Sequence, residues 1–141
     1  MNLTRYLLDT SALVRVLRDG TVRDRWREQI VAGLVAICPV VELEFLHTAR
    51  SKVEREELIE LLATTFTWVS MPDQVFTRSS AVQASLTDRG WHRSAGVADL
   101  LVATCAQAHG LVLLHYDHDF EQVAKVTGQP ASWIAEPGSI D

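Results

Sequence analysis

Short apolar runs alternate with longer helix-like stretches from one end of the chain to the other, and few folds accept that order. Arg5-Tyr6-Leu7-Leu8, Leu34-Val35-Ala36-Ile37, Phe66-Thr67-Trp68-Val69-Ser70, Leu111-Val112-Leu113-Leu114-His115 and residues 131–134 have strand length and strand composition. Between them the pattern predicts helices over residues 10–18, 21–32, 40–50, 53–64, 72–89, 99–109 and 119–126. Pro39 and Pro72 sit where first helical turns begin, and Gly20 and Gly110 where helices end. The alternation implies a three-layer α/β/α sandwich around a mostly parallel central sheet. At 141 residues, without repeat, linker or low-complexity tract, the expectation is a single domain over 1–141.

Composition narrows the class. With 48% hydrophobic and 22% charged residues the chain reads as globular, and no run approaches the ~18 apolar residues of a membrane span. A cytoplasmic protein with no membrane association is expected. Cys38 and Cys105 stand in apolar surroundings without C-x-x-C or Cys/His spacing, as buried reduced thiols do. The net charge of -5 argues against a nucleic-acid-coating role, which needs clustered Lys and Arg. It leaves a nuclease open, because carboxylates that hold a metal count as negative in the sum.

Four carboxylates are the candidates for the chemistry. Asp9 closes the first strand and leads at once into Thr10-Ser11 and a helix; Asp99 heads an apolar helix; Asp117 follows the fourth strand; Glu44 lies in an amphipathic segment. Parallel sheets form their ligand crevices at the carboxyl ends of the strands, where Asp9, Asp99 and Asp117 would lie. Singly, each fits an ordinary reading: Asp9 and Asp99 as helix N-caps, Glu44 on a solvated face, Asp117 in a turn. Gathered together they would repel one another unless a hard cation, Mg²⁺ or Mn²⁺, stood between them.

The strings Leu8-Asp9-Thr10-Ser11-Ala12-Leu13, Leu43-Glu44-Phe45-Leu46 with Ala49-Arg50, Ala98-Asp99-Leu100-Leu101-Val102-Ala103 and His115-Tyr116-Asp117-His118-Asp119-Phe120 together resemble PIN domains. More narrowly, they resemble VapC toxins of bacterial type II toxin–antitoxin systems, over nearly the whole chain. The resemblance implies a PIN-like fold and an endoribonuclease that cuts RNA with Mg²⁺ or Mn²⁺ held by Asp9, Glu44, Asp99 and Asp117, with Thr10 or Ser11 in support. It also implies a VapB-like antitoxin partner and a homodimer. Two departures stand out. Thr48 occupies a position where many relatives have Gly, and Glu42 rivals Glu44 from two residues upstream. Residues two apart on a helix diverge by about 200°, so only one can face the metal, and the spacing to Leu46, Ala49 and Arg50 selects Glu44. Asp119 either joins the site through water or caps the next helix, the cap being favoured.

Among other residues, the five His form no H-x-x-x-H or H-E-x-x-H array, and His115-Tyr116-Asp117-His118 reads as a turn flanking a ligand rather than as a zinc site. Trp26, Trp68 and Trp133 read as packing, whereas Trp91 and Arg93, in Arg89-Gly90-Trp91-His92-Arg93-Ser94, are candidates for stacking a base and pairing a phosphate. The same loop also fits solvated surface, and Arg15 and Arg18 fit an ordinary polar helix face. Two other functions compete with the ribonuclease. An Asp9-dependent phosphohydrolase or phosphoacceptor would want a second Asp at position 11, where Ser11 stands. A noncatalytic RNA-binding module would show a broken carboxylate set, and all four are present.

Overall fold

A computed structural model describes residues 3–141. Its elements run β1 (Tyr6–Leu8), α1 (Thr10–Arg18), α2 (Gly20–Val31), β2 (Val35–Ile37), α3 (Pro39–Leu46), α4 (Lys52–Thr65), β3 (Thr67–Trp68), α5 (Val75–Asp88), α6 (Val97–Ala108), β4 (Val112–His115), α7 (Asp119–Thr127) and β5 (Ala131–Trp133). The five strands form one parallel sheet in the order β3-β2-β1-β4-β5. The chain therefore progresses from β1 through β2 to β3 on one side, then crosses back to β4 and β5 on the other. Right-handed crossovers in opposite directions put their helices on opposite faces, which makes the three-layer sandwich.

Burial follows from that arrangement. Leu7 and Leu8 are both 0% exposed, as is Leu114, with Leu113 at 1%. Adjacent strand residues point to opposite faces, so burial of both members of each pair means that both faces are covered. Apolar runs without alternation are what such strands require. Among the described residues no helix is long and apolar enough to cross a membrane. Cys38 and Cys105 are buried free thiols.

The structure corrects several element ends. α3 stops at Leu46 rather than near residue 50, because the Thr48 amide and hydroxyl both turn onto the Phe45 carbonyl, at 3.0 and 2.7 Å. α5 starts at Val75, not at Pro72, because Gln74 takes a left-handed φ of 60° that no α-helix continues through. α6 starts at Val97, so Asp99 is its third residue and reaches back to the Gly96 amide at 3.2 Å. Asp119 is not a cap but the first residue of α7; its amide donates to Asp117 Oδ1 at 2.9 Å.

Candidate active site

β1 is central, and the chain reverses its direction across the sheet between β1 and β4, so their adjacent carboxyl ends form the switch point at which open α/β sheets place a ligand crevice. Asp9 ends β1 there. Its amide donates to Leu114 O at 3.0 Å, tying it to β4, and its carboxylate caps α1 by accepting from the Ala12 amide at 2.9 Å. Ser11 Oγ lies 2.8 Å from both Asp9 oxygens and accepts from the Tyr116 amide at 2.9 Å. One hydroxyl thus joins the end of β4 to the carboxylate at the end of β1. Ser11 is itself held through its carbonyl by Arg15 Nη1 at 3.1 Å, and the Arg15 guanidinium lies 4.8 Å over the Tyr116 ring.

Asp9 is only 4% exposed. Burial pushes its carboxyl up to about 6, against the pull of the Ala12 and Ser11 hydrogen bonds, and the negative charge of Asp99 adds to the rise. Asp99 is also raised, first by burial and then by Asp117, Glu44 and Asp119, while the Gly96 amide opposes the shift. Asp119 is raised by burial and by Asp117, with His118 opposing. The carboxylates at this edge therefore sense one another's charge. Among the described residues, no three His, Cys, Asp or Glu side chains are drawn together tightly enough to chelate an ion directly.

The two rival glutamates of α3 point to different partners. Glu44 Oε1 accepts from Thr10 Oγ1 at 2.6 Å, which brings it to the residue beside Asp9. Glu42 Oε2 instead accepts from Trp68 Nε1 at 3.3 Å, on the edge strand β3. His115 ends β4, as the apolar run predicts, and the turn flanking Asp117 starts only after it; the side chain is 2% exposed, with its ring against Phe120 and Trp133. Its Nδ1 accepts from the Asp117 amide at 3.3 Å, so the ring behind the loop helps place Asp117. Burial lowers its imidazole to about 4, outweighing the charges of Asp117 and Glu121. Trp91 is half-buried against the core, with the Arg89 guanidinium 5.1 Å and Lys125 Nζ 5.9 Å from its ring centroid, and Arg93 is exposed. The supporting roles of Arg15, His115 and Tyr116 escaped the sequence because they depend on which strand ends meet.

Comparison with known proteins gives a family for this architecture. Residues 6–126 match the PIN domain model. Ribonuclease VapC21 of Mycobacterium tuberculosis is 40% identical over 136 residues, covering 96% of this chain and 98% of the relative. Ribonuclease VapC51 of the same species is 38% identical over 137 residues, covering 97% and 98%. Among solved structures, the DNA-bound VapBC from Salmonella typhimurium aligns with a TM-score of 0.77 at 16% identity, covering 94% of this chain and 99% of that one. VapBC-1 from nontypeable Haemophilus influenzae aligns with a TM-score of 0.74 at 17% identity, covering 93% and 98%. The structural likeness speaks for the fold, and the sequence likeness over nearly full length speaks for the branch: this chain belongs to the PIN-domain family and, within it, to the VapC ribonucleases.

Proposed function

We propose that the protein is a single PIN-like nuclease domain over residues 1–141: an endoribonuclease hydrolysing RNA phosphodiesters, and the toxin of a type II toxin–antitoxin pair. Asp9, Glu44, Asp99 and Asp117 hold Mg²⁺ or Mn²⁺ in this reading, with Thr10, Ser11 and Asp119 in support. The observation that carries it is the shared edge of the β1/β4 crevice, where burial and mutual repulsion raise Asp9, Asp99 and Asp119 together. An all-oxygen, anionic donor set fits a hard divalent cation, and Mg²⁺ keeps several waters while using one or two carboxylates directly, so a loosely spaced row suits it.

When bound, the ion polarises the phosphate and lowers the pKa of its water. The chain's own residues supply the rest. Asp9 is fixed in one orientation by Ser11 and Ala12, Asp117 is aligned by its bond from the Asp119 amide, and Glu44 is steered by Thr10. No protein nucleophile is needed. A VapB-like antitoxin would silence the site by filling this acidic crevice, for which an inserted Arg is the natural complement, and the toxin itself would be a homodimer.

The test is RNA cleavage by the purified chain with Mg²⁺ or Mn²⁺ and with chelator. Glu44→Gln should lower cleavage more than about 100-fold, beyond the 10–100-fold range of groups one step removed from a metal, while Glu42→Gln retains most of it. Equal loss in both would remove the assignment of Glu44. Metal-independent RNA binding without cleavage would favour the noncatalytic module.

A further inference from the structure

A connected series of rings runs from the core to the surface beside the carboxylates. His115, at 2% exposure, packs on Phe120 with centroids 5.2 Å apart and on Trp133 at 5.0 Å. Trp133 makes a T-shaped contact with Tyr116 at 5.4 Å and another with His118 at 4.8 Å and 70°. Glu121 lies beside both rings: Oε1 accepts from Trp133 Nε1 at 3.0 Å, and Oε2 lies 3.7 Å from His118 Nδ1. The His118 side chain is nonetheless 77% exposed, and in sequence it falls between Asp117 and Asp119.

We propose that the exposed ring of His118, packed on Trp133, is the shelf on which one unpaired base of the RNA stacks while the neighbouring phosphate lies over the carboxylates. This deepens the ribonuclease reading and rests on it. Glu121 disfavours a phosphate at this rim, so the uncharged base is the part of the strand that fits. Every base has a π-face, so a ring platform selects single-stranded over paired RNA without demanding a sequence. Because the His118 ring already packs on Trp133, stacking costs less ordering than it would on a free side chain. Trp91, the stacking candidate from the sequence, already packs against the core with Arg89 and Lys125 beside its ring.

The test measures anisotropy of a short fluorescein-labelled single-stranded RNA titrated with the full chain, with Ca²⁺ in place of Mg²⁺ or Mn²⁺ to hold cleavage down. Loss of one stacking contact should weaken binding by roughly 5- to 150-fold in His118→Ala, while His118→Phe stays within about threefold of wild type. Removing one base at a time from the RNA should reveal a position that matters to wild type and not to His118→Ala. Unchanged binding by His118→Ala, or His118→Phe as weak as His118→Ala, overturns the proposal. Cleavage in Mn²⁺ is scored in parallel. Cleaving wild type with unaltered His118→Ala binding overturns the shelf alone, whereas a wild type that neither binds nor cleaves overturns the ribonuclease reading with it.

Discussion

Asp9 and Glu44 belong to the same row of carboxylates and are held in opposite ways. Asp9 is buried at the meeting of two central strands, with hydrogen bonds from Ala12 and Ser11. Glu44 is exposed on α3 and takes its bond from the single hydroxyl of Thr10. One wall of the crevice is therefore part of the sheet, and the other is a long side chain that keeps most of its rotamer freedom. Burial makes the first wall exact in position but disfavours its charge; exposure makes the second comfortable as an anion but costs ordering when it engages a ligand. The proposed cation would relieve the first cost, so the buried wall should dominate both affinity and metal-linked stability.

The severest way to break that contrast is Asp9→Asn. Cleavage should fall more than about 100-fold, as expected when a residue closer to the metal than an outer partner is lost. The variant should stay folded, and Mn²⁺, expected to raise the melting temperature of wild type, should leave that of the variant unchanged, because ligand-linked stabilisation disappears with the affinity. A variant still stabilised by Mn²⁺ to the wild-type extent would move the metal away from the buried wall.

Ser11→Ala tests the support of that wall. It removes the hydroxyl shared between Asp9 and the Tyr116 amide, so cleavage should drop by about 10–100-fold, and stability by about 1–3 kcal/mol from the buried groups left unpaired. Denaturant unfolding and cleavage kinetics on one preparation check both. Loss of activity without loss of stability would mean that Ser11 acts on substrate rather than through Asp9.

The pH dependence of stability separates Asp9 from His115. Without divalent ions, the Asp9 carboxyl titrates at 3.8 when unfolded and at about 6 when folded, so the fold holds this proton more tightly. Its contribution is fully present below about pH 4 and is lost as pH rises through 6, roughly 3 kcal/mol in all. Asp99 and Asp119 act in the same direction. His115 does the reverse: with its imidazole lowered from 6.5 to about 4, it disfavours the fold as pH falls below 6.5, again by roughly 3 kcal/mol. Relative to wild type, Asp9→Asn should therefore gain stability as pH rises from 4 to 7, and His115→Phe should gain it as pH falls. Parallel curves for either variant would show that its group titrates alike folded and unfolded.

How much of this the sequence carried depends on whether local pattern or meeting of elements decides the point. Unbroken burial of Leu7-Leu8 and Leu113-Leu114 was legible, because a strand covered on both faces shows as an apolar run. Asp9 as the last residue before a helix was legible for the same reason. Element ends fixed by one local bond were not: the Thr48 turn onto Phe45 and the left-handed Gln74 leave no periodicity to read. Nor was the partner of Glu42, since the bond to Trp68 depends on β3 lying beside β2. That β4 ends at His115 was legible in the apolar run before it, but the depth of His115 was not, because it comes from Phe120 and from Trp133, the latter eighteen positions away in sequence and adjacent only through β4–β5 pairing.

The smallest effect should come from Thr10→Val, which probes the exposed wall. The variant keeps the β-branched shape and removes only the hydroxyl that donates to Glu44 Oε1 at 2.6 Å. Because that bond is exposed, water replaces it at little cost, and stability should change by less than about 1 kcal/mol. What the hydroxyl contributes is direction, sparing Glu44 part of the rotamer entropy it would otherwise lose on engaging a cation. A glutamate side chain has about 1.5–2 kcal/mol to lose at most, so the fraction recovered by one bond corresponds to less than about tenfold in cleavage. The deficit should shrink as Mn²⁺ concentration rises, because saturation compensates for weaker binding. A deficit larger than that of Ser11→Ala, or one that saturating Mn²⁺ leaves intact, would mean that Thr10 contacts the reacting phosphate and that the exposed wall is the more demanding of the two.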